Sequence, residues 1–158
     1  MNLGLFILCI AAAFTAAWIW YRSAGKRNAK KRFTDRYRVS NRSTILDADT
    51  GRGHGGPDMR PMVADGLAGK PDAIFRNGRR ITAGEYKNAQ IGSRPRRRDL
   101  YQLTLYMGML QSLHPSAQID GRLVYNNRTL HIEFDQKLYK RLLGQRQPVL
   151  DLLREFEA

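Results

Sequence analysis

Two strand-like runs separated by a turn dipeptide constrain this chain more than any other feature. Asn77-Gly78 stands between Pro71–Arg76 and Arg79–Lys87, and such a pair of runs around Asn-Gly predicts a tight β-hairpin. Pairing Arg76 with Arg79 puts Asp72 opposite Ala83 and makes Glu85 its diagonal neighbour. Side chains alternate between the faces of a strand, so Asp72, Glu85 and Lys87 share one side. Diagonal neighbours lie within reach of long side chains. Two carboxylates and one ammonium therefore converge on a single face, the minimal equipment for holding a divalent cation against a phosphodiester. Taken by themselves, three such charges read more simply as a solvated strand with a cross-strand ion pair.

The residues around the hairpin change that balance. Pro71-Asp72 and Glu85-Tyr86-Lys87 are followed by Gln102 and Tyr106, one turn apart on a predicted helix. In series these motifs resemble the PD-(D/E)XK nuclease superfamily, in the RecB-like branch that includes CRISPR-associated exonucleases. Ala48-Asp49-Thr50-Gly51 and the run from Gly66 to Asp72 are similar to that branch too, and the resemblance covers residues 44–135. It implies an α/β, restriction-endonuclease-like core with a mixed central sheet flanked by helices. It further implies metal-dependent hydrolysis of DNA. Asp72 and Glu85 would hold Mg²⁺ or Mn²⁺, joined by the backbone carbonyl of Tyr86. Lys87 would orient or deprotonate the attacking water or neutralise charge in the transition state, the electrostatic role being the simpler one beside two carboxylates. Gln102 and Tyr106 would reach toward the site and substrate. Relatives often draw a further ligand from a helix before the first core strand, and Asp35 and His54 are the positions available, neither in a matching motif. Many RecB-like relatives also carry an iron–sulfur cluster on four cysteines. Cys9 is the single cysteine here, so no such cluster is expected.

The front of the chain has a different character. Asn2–Tyr21 contains no charged residue, and about 20 apolar residues suffice to cross a bilayer as a helix. Trp18, Trp20 and Tyr21 cluster at its downstream end, where aromatic rings favour the membrane interface. A cleaved signal peptide is the competing reading, but it calls for a basic stretch before the apolar run, and the basic residues come after it. Residues 22–42 hold nine basic side chains and one acid, a charge of +8 out of the chain's +13. The positive-inside rule keeps that end in the cytoplasm. The expected organisation is a transmembrane anchor over 1–21, a basic juxtamembrane segment over 22–42, and a nuclease-like domain over 43–158. The protein would then be a single-pass inner-membrane protein with its C-terminal domain cytoplasmic. The basic segment serves equally as a topology signal or as a surface for anionic headgroups.

Further along, Met62–Ala64 and Leu67–Phe75 flank Asp65-Gly66 and predict a second hairpin. Arg94, Arg96, Arg97 and Arg98 form a basic cluster around Pro95. Guanidinium groups match phosphate geometry, which makes the cluster a candidate DNA-backbone contact, with a solvated charge run as the equal alternative. A helix is expected from Asp99, as N-cap, to Leu113, with Leu103, Tyr106, Leu110 and Leu113 on one face. Arg122–Tyr125 and Thr129–Phe134 bracket a turn at Asn126-Asn127, and a broken helix closes the chain. The basic segment could itself be helical. Gly51–Pro57 reads as a flexible loop without nucleotide-loop spacing. The three histidines show no zinc-ligand spacing, and no serine-hydrolase motif occurs. The chain is expected to be a membrane-anchored, Mg²⁺-dependent deoxyribonuclease, acting alone or as a processing subunit of a larger DNA-processing complex. The rival is a membrane-tethered nucleic-acid-binding protein that does not cut.

Overall fold

The computed structural model describes residues 30–48 and 61–148. The expected anchor, the start of the basic segment, Asp49–Gly51, the glycine-rich loop with His54, and the last ten residues lie outside the described residues. Among the described residues no helix is long and apolar enough to cross a membrane.

A five-stranded mixed sheet forms the centre. Its strands are β1 (Thr44–Ala48), β4 (Ala73–Asn77), β5 (Arg80–Lys87), β6 (Gln118–Tyr125) and β7 (Thr129–Glu133), adjacent in that order. Only β5 and β6 run parallel. A parallel pair needs a long crossover, and helix α2 (Arg97–Leu113) supplies it. The short strands β2 (Met62–Ala64) and β3 (Leu67–Gly69) form a separate two-stranded sheet. Helical residues 30–36 (α1) and helix α3 (Gln136–Gly144) complete the described elements.

The hairpin register differs from the expectation. Asn77 pairs with Arg80 and Arg76 with Ile81, so the turn residues are Gly78-Arg79 rather than Asn77-Gly78. Gly78 takes φ 60° at the first central position, where a type II′ turn places its glycine. The shift is two residues. Because strand faces alternate with period two, every side chain keeps its predicted face. Asp72, however, now lies level with Glu85 rather than with Ala83.

The second hairpin turns at Asp65-Gly66, with φ 52° and 71°, the two positive values of a type I′ turn. Its second strand stops at Gly69 instead of reaching Phe75. Pro71 lacks an N–H to continue a ladder, and the chain resumes pairing only at Ala73. The basic helix also ends early. Arg38 turns left-handed at φ 50°, while Val39 N–H reaches Thr34 O and Arg38 N–H reaches Asp35 O. Those two bonds are the Schellman pattern that closes a helix.

Each face of the sheet buries its own core. Ile74, Ile81, Ala83, Ile119 and Leu123 meet Leu103, Met107 and Leu110 of α2. On the opposite face Ala73, Phe75 and Val124 pack with Tyr37 and, at its edge, Phe33 and Ile45. A side chain at Gly84 would fall 2.5 Å from the Tyr37 ring, so glycine there lets the aromatic cluster settle on the strand backbone. In α2, Asp99 is not the N-cap. Arg96 occupies that position, while the Asp99 carboxylate is buried and accepts from the Tyr125 hydroxyl at 2.8 Å. Leu113, expected on the buried face, is 46% exposed at the helix end.

Candidate active site

Alternation along β5 sends Glu85 and Lys87 to the α2 side of the sheet and Tyr86 to the other. Asp72, just before β4, shares the parity of Ile74 and so the same side as Glu85. The two carboxylates stand beside each other across the hairpin. Asp72 N–H points at Glu85 Oε2 at 3.4 Å, and Asp72 Oδ2 accepts from Tyr86 N–H at 2.7 Å. This last bond stiffens the site's frame, because the residue between Glu85 and Lys87 is tied through its backbone to the facing carboxylate.

A relay of polar contacts extends from there to α2. Lys87 Nζ donates to Glu85 Oε1 and to Gln102 Oε1, each at 2.8 Å. Gln102 Nε2 donates to the Tyr106 hydroxyl at 3.0 Å. Gln102 and Tyr106 are spaced four residues apart, so one helix face presents both. The Tyr106 ring rests on Gly69, where an added Cβ would lie 2.5 Å from Cε1. The glycine before Lys70-Pro71-Asp72 thus opens the space that the ring occupies. Asp72, Glu85, Lys87, Gln102 and Tyr106, spread over 35 residues of sequence, form one contiguous constellation.

Glu85 is buried, only 4% exposed. Burial pushes its carboxyl above the ordinary carboxylate range, the hydrogen bond from Lys87 pulls it back, and the nearby Asp72 charge adds to the rise. The net effect is upward. A buried carboxylate crowded by a second one is an arrangement that a bound cation relieves. The donors are hard oxygens, which suit Mg²⁺ or Mn²⁺ rather than softer metals. Among the described residues no group of three or more His, Cys, Asp or Glu could hold a metal together. The available set is therefore two carboxylates, to which the family resemblance would add the Tyr86 carbonyl. Mg²⁺ commonly binds through one or two carboxylates, keeping waters and substrate phosphates as its other ligands, so the residues fit the ion.

The arginine cluster sits at the entry of α2. Arg94, Arg96, Arg97 and Arg98 are all exposed, and Arg98 Nε lies 3.5 Å from Asp99 Oδ1. Basic side chains at a helix N-terminus oppose the macrodipole, so their placement is not explained by helix stability.

A second polar cluster, absent from the sequence reading, lies on the α1 side. Thr82 Oγ1 donates to Asp120 Oδ1, and His131 Nε2 and Arg122 Nη1 lie 3.1 and 3.6 Å from Asp120 Oδ2. It ties β5, β6 and β7 together laterally. Only the alternation of Thr82, Asp120 and His131 with apolar neighbours hinted at a shared face.

Comparison of the chain with protein-family models, with curated proteins and with solved structures finds no match.

Proposed function

We propose that this chain is a metal-dependent deoxyribonuclease of the PD-(D/E)XK type, RecB-like in its motifs, tethered to the membrane with its catalytic domain in the cytoplasm. The observation that carries the reading is the joining of Asp72 and Glu85 side by side, with Lys87 bridging Glu85 to Gln102 at 2.8 Å on either side. A structural ion pair needs one acid and one base. It does not need a second carboxylate level with the first, nor a glutamine from another element on the same ammonium.

The strand order also supports it. Two antiparallel strands carry the motif, and a helical crossover leads to a parallel neighbour, which is compatible with a restriction-endonuclease-like core.

Hydrolysis of a phosphodiester requires a water to attack phosphorus while the bond to one ester oxygen breaks. The water must lose a proton and the departing oxygen must gain one. A divalent cation on Asp72, Glu85 and the Tyr86 carbonyl would supply Lewis-acid polarisation of the phosphoryl group and a more acidic water. The Lys87 side chain, 2.8 Å from Glu85 Oε1, would offset the negative charge that builds on the phosphoryl oxygens. Gln102 holds the Lys87 ammonium in place through its carbonyl oxygen, and Tyr106 fixes the Gln102 amide through its hydroxyl. Arg94, Arg96, Arg97 and Arg98 would contact the DNA backbone beyond the cut.

The deciding assay incubates the full-length protein with Mg²⁺ or Mn²⁺ and linear, circular and single-stranded DNA. Metal-dependent cleavage that Asp72→Asn and Glu85→Gln each remove is the expected result. DNA binding without cleavage under every metal condition would leave the non-cutting rival standing.

A further inference from the structure

The end of the sheet that carries the carboxylates has a concavity on the α1 side. Arg36 and Arg38 from the end of α1, Tyr86 from β5, and Asn126 and Arg128 from the β6–β7 connection border a cleft of about 360 Å³. Three guanidinium groups line it, and no carboxylate does. Arg36 and Arg38 also complement the C-terminal pole of α1, which would account for two positive charges there. Arg128 comes from the β6–β7 connection and has no such role.

The walls of the cleft are held in place. Arg128 Nη1 donates to Gly92 O at 3.0 Å and reaches Ser93 O at 3.5 Å, which fixes the guanidinium through one nitrogen and leaves the N–H groups of Nε and Nη2 for a ligand. The Asn127 amide accepts from Ile91 N–H and donates to Ile91 O, pinning the loop that follows Lys87 to the β6–β7 turn. Tyr86 is 37% exposed. The Arg36 guanidinium lies 5.4 Å from its ring centroid, and its hydroxyl donates to Asn126 Oδ1 at 2.8 Å. A part-exposed aromatic ring beside guanidinium groups is the pairing by which single strands are bound, with phosphates on the charges and a base on the ring face that Arg36 does not cover. A base inside a duplex has no free face to offer such a ring.

We infer that this cleft binds the phosphodiester backbone of an unpaired nucleic-acid strand, next to the bond to be cut. The inference rests on the nuclease reading of Asp72, Glu85 and Lys87, since Tyr86 is the residue between two of them and connects the cleft to the site. The strand passes around the end of β5, from the carboxylates on one face to the guanidinium groups on the other.

The test measures binding alone, with the full chain in detergent micelles, in EDTA, against a labelled oligothymidylate and a duplex of equal length. Arg36→Gln with Arg128→Gln should make the slope of log affinity against log salt shallower by about 1.4, at 0.7 per single-strand phosphate contact, and weaken binding roughly 25-fold at 0.1 M salt. Lys31→Gln with Arg32→Gln, which removes two exposed charges of α1 outside the cleft, should change either quantity far less. Tyr86→Ala should weaken single-strand binding about fivefold or more, whereas Tyr86→Phe keeps the ring and most of the affinity. Thermal melting of each variant checks that it is folded. Equal losses in the cleft and control pairs would overturn the inference, as would duplex bound with the same dependence on Tyr86. So would a cleft pair that loses only its binding to phosphatidylserine vesicles, which would make the cleft a headgroup site. Cleavage in Mg²⁺ is scored separately. Cutting by a protein whose cleft variants bind normally removes the cleft and keeps the nuclease, while selective loss of binding in a protein that never cuts does the reverse.

Discussion

Glu85 illustrates how a candidate metal ligand would be held against the stability of the fold. Its carboxyl is buried, and its proton affinity is raised mainly by that burial. A carboxylate with a raised folded pKa favours the folded state at low pH. That contribution is complete below the unfolded value near 4.5 and disappears as pH rises through the folded value. At neutral pH in EDTA, burial of the Glu85 carboxyl therefore costs stability that is absent in acid. Glu85→Gln should melt no lower than the wild type under those conditions and higher if burial dominates. The gap should close as pH falls toward the ordinary carboxylate range. Adding Mg²⁺ should raise the wild-type melting temperature and leave that of the variant unchanged, because only a ligand that binds the folded site shifts the equilibrium. Paired melting curves across pH, with and without Mg²⁺, check all three expectations. Lys87 makes a separable prediction. Lys87→Ala should reduce cleavage by roughly 10²–10³-fold, the scale of losing one preorganised electrostatic group, while calorimetric titration still finds the metal site. Collapse of metal binding with cleavage preserved would reverse the roles assigned to Lys87 and the carboxylates.

Among the elements, the β2–β3 hairpin matters more than its size suggests. Gly69 gives the Tyr106 ring its place, and Tyr106 orients Gln102 toward Lys87. Gly69→Ala should cost about 1–3 kcal/mol through overpacking and disturb cleavage as well. The effect should be strongly non-additive with Tyr106→Ala, since removing the ring removes the clash. A double-mutant cycle on melting temperature measures it. At the other end of that hairpin, Asp65 accepts from the hydroxyls of Ser112 and Tyr139, tying β2–β3 to α2 and α3. Those two bonds hold its carboxyl below the ordinary range. Its stabilisation is present above the unfolded value of 3.8 and is lost as pH falls through the lower folded value. Asp65→Asn should accordingly be less stable than the wild type at neutral pH, with the difference fading in acid, as chemical denaturation at several pH values would reveal. Asparagine tolerates the left-handed backbone at this position, so the comparison isolates the charge. Much of this hairpin was legible in the sequence, because Asp65-Gly66 is a strong turn signal. Its separation from the main sheet was not, because that depends on where Pro71 leaves the chain relative to β1.

For the whole molecule, the charge distribution joins the two functional proposals. The segment over 22–42 carries +8 and the remainder +5, and α1, with Arg36 at its end and Arg38 just beyond it, belongs to the first. If the apolar run over 2–21 is an anchor, the catalytic face operates close to the membrane, and the basic segment both sets orientation and contributes to the cleft. A reporter fused after Ala158 should behave as cytoplasmic, and the protein should remain in the pellet after carbonate washing. A soluble protein with a new N-terminus near Ala24 would instead identify the apolar run as a signal peptide.

Local chemistry was enough to predict the mixed α/β class, the hairpin and the common face of Asp72, Glu85 and Lys87. Alternation along a strand survives a register shift of two, so the parity argument held although the pairing itself was displaced. The register belongs to packing: Ala73 opposite Gly84 leaves the hollow that receives Tyr37, and no period-two pattern can distinguish two registers of the same parity. Asp99 passed for a cap because its type suits that position, while its actual partner, Tyr125, lies 26 residues away. The bridge from Lys87 to Gln102 and the gathering of Arg36, Tyr86 and Arg128 around one cleft have the same origin. They depend on how the α2 crossover and α1 settle on opposite faces of the sheet, and side chains far apart in sequence become neighbours only once both cores have closed.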